Sequence, residues 1–145
     1  MKKHLLWLPI VLVIIAAFTT KTIINTNKVK PVDKQVQLTI YSNNDYSAEA
    51  YNEALASVHV VVTKVKGSSK KIVWEKTFTA LPLKNYPTLG NAFTQQVNIP
   101  DVFDSKEKLE VSYSITYDSK GSVLRFVNGE VLPKGVTKDN LMIHI

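Results

Sequence analysis

The chain has 145 residues, a net charge of +6, 45% hydrophobic residues and no cysteine. This length fits one domain, and the lack of cysteine excludes disulfide bonds and attachment of a lipid at a cysteine. The basic excess lies near the N-terminus, since residues 35–145 hold 12 basic and 11 acidic side chains and Arg125 is the only arginine; this distribution argues against nucleic-acid binding.

The first segment is an apolar run behind a basic start. Lys2 and Lys3 precede apolar residues 5–18, so we expect the N-terminus to stay in the cytoplasm and the remainder to cross the membrane. The run lies between a secretory core of about 7–15 residues and a membrane span of roughly 17–25. Residues 1–20 are therefore either a signal peptide cleaved after Ala17 or a signal-anchor helix. We favour the anchor, and both outcomes place the rest on the extracytoplasmic (periplasmic or secreted) side.

A basic linker is predicted at residues 21–34, "KTIINTNKVKPVDK". The segment has no steady hydrophobic period and contains Pro31, which is typical of a connection. If residues 1–20 stay in the membrane, the linker lysines lie near the outer headgroups and are attracted to an anionic surface. These membrane-proximal basic residues are Lys21, Lys28, Lys30 and Lys34.

From Gln35 onward, apolar and polar residues alternate, which predicts β-strands with one buried face. The exception is "SAEAYNEALA" (47–56), which is rich in alanine, lacks glycine and proline, and predicts one short helix. The next segment, "SVHVVVTKVK" (57–66), is apolar on both faces, so it is either central and covered or exposed and adhesive. Further strands are predicted at residues 72–81, 92–99, 109–118, 123–127, 130–132 and 141–145.

Turn residues separate these segments, and "NG" (128–129) is a strong signal for a two-residue hairpin. About eight short strands linked by turns predict an all-β fold for residues 35–145. We expect an antiparallel β-sandwich, transthyretin-like or immunoglobulin-like, with one short helix and preceded by the N-terminal hydrophobic helix. The predicted core comprises Leu38, Ile40, Val58, Val60, Val62, Trp74, Phe78, Phe93, Val97, Val111, Tyr113, Ile115 and Phe126.

The residues that carry chemistry do not form a recognisable catalytic pattern. The sequence has no cysteine nucleophile and no G-x-S-x-G motif. His59 and His144 lie in predicted strands without a third zinc ligand at a recognisable spacing. Asp45, Glu49 and Glu53 would form one stripe on a short helix, whereas paired-carboxylate catalysis needs two groups across a cleft. We therefore predict no enzymatic activity, no metal and no cofactor.

The long loop "LPLKNYPTLGN" (81–91) is the predicted contact surface. It exceeds the usual connection length of about 2–6 residues, and its prolines restrict the backbone. Leu83, Tyr86 and Leu89 recur every third residue and would present a tyrosine between two leucines to a partner. In the alternative arrangement, these side chains fold back and close one end of the sandwich.

Two functions of different class follow from this reading. The first is a non-enzymatic, membrane-tethered interaction module that binds a protein partner as an accessory subunit of a cell-envelope complex. The second is a freely secreted or periplasmic protein of the ligand-binding, inhibitor or immunity type, released by cleavage near Ala17.

Overall fold

The computed structural model describes residues 30–145. The predicted N-terminal helix and the linker lysines Lys21 and Lys28 lie outside these residues. The described chain folds into strands joined by turns and by short 3₁₀ segments at Glu49–Tyr51, Leu83–Asn85 and Leu89–Asn91. The strands are β1 (Val32–Tyr41), β2 (Ala54–Lys66), β3 (Ser69–Pro82), β4 (Phe93–Val102), β5 (Lys108–Ser119), β6 (Ser122–Val131) and β7 (Lys138–His144).

The strands form a three-stranded sheet of order β4-β1-β7 and a four-stranded sheet of order β3-β2-β5-β6. The predicted all-β, two-sheet architecture is therefore confirmed. The pairing is not antiparallel throughout, because β1 runs parallel to β7 while it is antiparallel to β4. An alternating pattern reads the same in both directions along a strand, so it carries no information about strand direction.

A single aliphatic core lies between the sheets. Leu38 and Ile40 of β1 and Val58, Val60 and Val62 of β2 are each no more than 1% exposed. Burying an aliphatic side chain stabilises a fold by roughly 1.5–3 kcal/mol relative to leaving it exposed. The other predicted core residues that are buried are Val97, Val111 and Ile115, while Trp74, Phe78 and Tyr113 are partly buried and pack against the core.

Two predicted core residues are exposed, and the prediction was wrong for them. Phe93 is 43% exposed and Phe126 is 54% exposed. Phe93 begins β4 and Phe126 lies in β6, and both strands are at the edge of their sheets. Alternation identifies the face on which a side chain lies, but it does not show whether another element covers that face.

The predicted helix at residues 47–56 is also wrong. Only one 3₁₀ turn forms, at Glu49–Tyr51, and β2 already begins at Ala54. Ala54 and Ala56 are buried in the core, where β2 pairs with β5 as far as Ser119. Helix propensity is a weak preference, and burial of these alanines in the sheet outweighs it.

The Asn128-Gly129 pair does not form the predicted hairpin turn. Residues 123–127 and 130–132 were predicted as separate strands, but β6 is continuous through Asn128 and Gly129. A Cβ atom on Gly129 would lie 2.9 Å from the Val111 carbonyl oxygen, so glycine permits a close approach to β5. The β5–β6 turn lies earlier, where Lys120 and Gly121 both have positive φ.

Strand β3 is irregular where it pairs with β2. The register shifts between Ala56 and Val58 and again between Val62 and Thr63. The second shift places Ile72 opposite Thr63 on the outer face of the sheet, while Trp74 stays opposite the buried Val62. Residues two apart in a regular strand share a face, but Ile72 and Trp74 do not, because a bulge inserts an extra residue between them.

Candidate functional site: an exposed apolar edge strand

The three loop residues predicted to contact a partner do not form one exposed patch. Leu83 and Tyr86 are buried, and only Leu89 faces solvent. The Tyr86 hydroxyl donates a hydrogen bond of 2.7 Å to the Ala56 carbonyl. Burial raises the pKa of Tyr86 to about 12, with a smaller contribution from Tyr117. Leu83 and Tyr86 therefore pack against the core at one end of the sandwich, which is the alternative arrangement.

Lys30 and Lys34, the two linker lysines among the described residues, lie in different environments. Lys30 is exposed, whereas Lys34 lies inside β1 and is only 3% exposed. Its Nζ atom is 2.7 Å from Asp104 Oδ1 and donates to the Pro133 carbonyl at 3.2 Å. Lys34 therefore joins the start of β1 to two loops, and its ammonium group is held by these partners within the domain. The sequence placed it in the linker because regular alternation starts only at Gln35.

An apolar pocket of about 270 Å³ opens between β3 and β4. It lies on the side where Lys76 of β3 reaches Gln95 of β4, with 2.7 Å between Nζ and Oε1. The pocket is small and mainly apolar, so it has the character of a recess for one side chain or a small ligand. Its walls are Ile40, Phe78, Thr79, Leu81, Tyr86 and Phe93.

The most unusual surface belongs to strand β6. Every residue of Ser122–Val131 is exposed. Its large apolar side chains are between 51% and 71% exposed, and these are Val123, Leu124, Phe126, Val127 and Val131. Contiguous apolar surface of this kind typically marks an interaction site in a soluble domain.

The apolar residues of β6 cover both faces of the strand. Directly paired residues share a face, and Phe126 pairs with the buried Ile115 of β5. Leu124 and Phe126 therefore lie on the core-facing side of the sheet, while Val123, Val127 and Val131 lie on the outer side. Tyr117 packs edge-to-face on Phe126, with 5.8 Å between ring centroids.

The core-facing side of β6 stays exposed because the two sheets differ in width. Three strands lie against four, and β4 is placed over β3 by the contact between Lys76 and Gln95. The sheet of β1 therefore ends at β7, and no strand of the described chain covers Leu124 and Phe126. The exposed core-facing side chains of β6, Leu124 and Phe126, therefore form an uncovered surface beside β7. We call this surface the β6 shelf.

Within residues 30–145, β6 also has backbone hydrogen-bonding groups that no neighbouring strand occupies. The Leu132 N–H donates to the Leu109 carbonyl at 2.9 Å, which marks this pair as a hydrogen-bonded one. Bonded and non-bonded pairs alternate along an antiparallel ladder. The even-numbered residues of β6 therefore bond to β5, and the odd-numbered ones point their N–H and C=O groups away from the sheet. Consistent with this, the Gly129 N–H donates to the side-chain oxygen of Asn128, at 2.8 Å.

Two carboxylates stand at one end of the β6 shelf. Glu130 pairs with Val111 and so lies on the core-facing side, and Asp139 shares a face of β7 with the buried Leu141. Burial raises the pKa of Glu130, and the charge of Asp139 raises it further. The two acids therefore repel each other where the edges of the two sheets meet.

The sequence contains a pattern that indicates this surface, but the predicted turn at Asn128 and Gly129 hid its length. "VLRFV" has apolar residues on both faces of a strand, the same feature that marked residues 57–66 as either covered or adhesive. Ending the strand at Asn128 made it short. In the structure β6 is continuous and exposed, so the two-sided apolar pattern extends over a longer strand. Its charged residues are one arginine and one glutamate, and it has no lysine to protect the edge.

The titratable groups elsewhere form pairs rather than a convergent site. His59 Nε2 lies 2.9 Å from Glu75 Oε1 on the outer face of the four-stranded sheet. His144 of β7 accepts a hydrogen bond from the Asn43 N–H, which follows β1. Within residues 30–145, no group of three or more histidine, aspartate or glutamate side chains is placed to hold a metal ion. A helix with the length and hydropathy of a membrane span is likewise not found in that range.

Comparisons with protein-family models, with curated proteins and with solved structures gave no match to this chain.

Proposed function

We propose that this chain is a non-enzymatic extracytoplasmic interaction module, tethered to the membrane, that serves as an accessory subunit of a cell-envelope protein complex. The observation that carries the proposal is β6, a long edge strand with exposed apolar side chains on both faces. Natural sheets usually protect such an edge, because it can pair with another chain. An edge left open suits a module whose role is to bind a protein.

The location of the module is argued from the N-terminal sequence. Lys2 and Lys3 ahead of apolar residues 5–18 favour export of the domain with the N-terminus inside. Retention of residues 1–20 would make the module a tethered one. N-terminal sequencing of the native protein tests this, and a mature chain that starts at Phe18 would contradict the tether.

The second candidate is a freely secreted or periplasmic protein of the ligand-binding, inhibitor or immunity type. The observation that favours it is the apolar pocket between β3 and β4, which could take a small ligand. Cleavage after Ala17 would favour this candidate over the first.

We also propose that the sandwich is of the transthyretin-like subtype. In an immunoglobulin constant-type domain the first two strands share one sheet, with strands ABED and CFG. Here β1 and β2 lie in different sheets, and β1 is flanked by β4 and β7. This order departs from the immunoglobulin arrangement and so favours the other subtype.

Site-specific photocrosslinking in living cells tests the interaction module. A photoreactive residue at Val127 of β6 should give a discrete covalent adduct with one envelope protein. The matched control places the same residue at Lys71, which is exposed on β3 at the opposite edge of the same sheet. Equal labelling at both positions, or none at Val127, would contradict the proposal.

A further inference from the structure

We infer, on the basis of the proposed function, that β6 accepts an extended segment of a partner protein as an additional strand, and that this segment alternates apolar residues and carries a lysine or arginine that sits beside Glu130 and Asp139. The occupant is thus a β-strand of stated chemistry, apolar along its length and basic at the end that meets the two acids. Each part of this description rests on a separate feature of the β6 shelf.

The backbone of β6 is arranged for strand addition. Its register with β5 is unbroken from Ser119 and Ser122 to Glu110 and Val131. A regular strand presents its outward N–H and C=O groups at even spacing, which an incoming strand can match along the whole length. Val123, Arg125, Val127 and Val131 supply such groups.

The side chains of β6 explain why the incoming segment should be apolar at alternate positions. Residues directly opposite each other on paired strands have Cβ atoms about 4.5–5.5 Å apart, so they interact strongly. Next to Leu124 and Phe126, an apolar residue of the new strand would bury their exposed area on the β6 shelf. Next to Val123 and Val127, β-branched residues fit the outer face in the same way.

The two acids at one end of the β6 shelf determine which end of the incoming segment should be basic. Glu130 and Asp139 repel each other, and within residues 30–145 neither acid forms a salt bridge. Asp139 accepts a hydrogen bond of 2.9 Å from the Asn140 N–H, whereas Glu110 contacts both Lys70 and Lys108. A cationic side chain between two carboxylates would turn this repulsion into attraction. A basic residue on the incoming strand therefore adds specificity to the apolar contact.

A second copy of the chain fits this site less well. Both copies would expose the backbone groups of odd-numbered residues, so a symmetric pair aligns odd with odd. Arg125, the only basic residue of β6, then stays on the outer face. When the pair is centred on Val127, Glu130 meets Leu124 of the other copy. The two acids would gain no cation, and this argues for a different protein as the occupant.

The test uses the purified full chain and a synthetic peptide of the length of β6, in which valine alternates with threonine and arginine occupies one end. The control peptide has glutamate in place of arginine. We expect the arginine peptide to bind about tenfold more tightly, and this preference to be lost in the double variant Glu130→Gln, Asp139→Asn. Equal binding of both peptides by the native chain would overturn the inference.

Hydrogen exchange shows whether a bound peptide adds as a strand. The amides of Val123, Arg125, Val127 and Val131 should become protected on binding, whereas the even-numbered amides already bond to β5. Val127→Pro should abolish binding because it removes an outward N–H, and Val127→Lys should weaken it by charge. Binding without protection of the odd-numbered amides, or self-association of the chain through β6, would overturn the inference.

The two proposals can fail separately. If Val127 crosslinks to a partner in cells but the arginine peptide shows neither preference nor protection, the interaction module stands and the basic-strand inference is wrong. If the Val127 position gives no adduct, the proposed function itself fails.

Discussion

The two edge strands of the four-stranded sheet, β3 and β6, can both pair with another chain, but only one of them carries features that prevent it. Strand β3 contains Lys70, Lys71 and Lys76 and shifts its register twice against β2. Strand β6 contains no lysine and pairs regularly with β5 along its whole length. Lysines and bulges are two devices by which natural sheets prevent edge-to-edge pairing. Among residues 30–145, one edge of this sheet is protected and the other is left open.

The charged groups on the two faces of the sheet also differ. On the outer face, Glu110 of β5 is contacted by Lys70 of β3 at 3.0 Å and by Lys108 at 2.9 Å. Near β6, Glu130 has Asp139 as its charged neighbour. The comparison teaches that the open edge is a local property of β6 and β7. It does not reflect a general shortage of charged residues, since residues 35–145 include 12 basic and 11 acidic side chains.

The largest expected effect comes from placing proline at adjacent positions of β6. Phe126→Pro removes an N–H that bonds to β5 and should lower the free energy of unfolding by roughly 3 kcal/mol. Val127→Pro removes an outward N–H and should cost about 1 kcal/mol or less, since edge strands tolerate proline there. Urea unfolding of both variants measures the difference. Equal losses would mean that the assignment of inward and outward backbone groups is wrong.

A matched pair of phenylalanines compares the two edges through side-chain packing. Phe78 lies in β3 and packs against the core, whereas Phe126 in β6 is 54% exposed. We expect Phe78→Ala to cost about 2–3 kcal/mol and Phe126→Ala to cost under about 1 kcal/mol. Chemical denaturation of each variant checks this. A cost for Phe126→Ala as large as that for Phe78→Ala would contradict the description of an uncovered shelf.

The pKa values of Glu110 and Glu130 should lie on opposite sides of the ordinary value of 4.5. Hydrogen bonds from Lys108 and Lys70 lower the pKa of Glu110, so its stabilising contribution is present above 4.5 and is lost as the pH falls through the lowered value. Burial and Asp139 raise the pKa of Glu130, so its contribution is present below 4.5 and is lost as the pH rises through the raised value.

NMR titration of the two side-chain carboxyl groups measures this difference directly. Asp139→Asn should move the pKa of Glu130 back toward 4.5 and leave Glu110 unchanged. If Glu130 titrates below Glu110 in the native chain, the repulsive pair at the end of the shelf is not present.

The smallest expected change in stability comes from transferring protection between the edges. Val127→Lys gives β6 a lysine, and Lys71→Val removes one from β3. Both positions are exposed, so each variant should unfold within about 0.5 kcal/mol of the native chain. Sedimentation velocity should show more self-association for Lys71→Val than for the native chain, and no change for Val127→Lys, since a second copy fits β6 poorly. The opposite ranking would show that lysine is not what distinguishes the two edges.

The sequence predicted the strands well where a whole face is buried. Leu38 and Ile40 of β1 and Val97 of β4 are buried as predicted, and Val36 and Ile99 on the same faces of these strands are buried as well. Burial of one face imposes period-two alternation, so the pattern is legible from the residues alone. Turn residues separate the predicted strands as expected at Gly67 and Gly121, where both glycines have positive φ.

The candidate site could not be derived in the same way. Exposure of Phe126 depends on how many strands lie in the opposite sheet, and no local pattern encodes that number. The parallel pairing of β1 with β7 and the bond between Lys34 and Asp104 join residues far apart in the chain. Local signals at residues 47–56 and at Gly129 pointed to a helix and a turn, and tertiary pairing overruled both.

The central position of β1 has a mechanical consequence. The strand begins at Val32 and is flanked by β4 on one side and β7 on the other. A force applied at residue 30 along the strand would shear both ladders together, and the Lys34–Asp104 bridge lies at the point where the force enters. Pulling on an edge strand such as β6 would instead peel its bonds one after another. The domain is therefore built to resist load at the very end where a retained anchor would hold it, and force spectroscopy with handles at residue 30 and at β6 would measure the contrast.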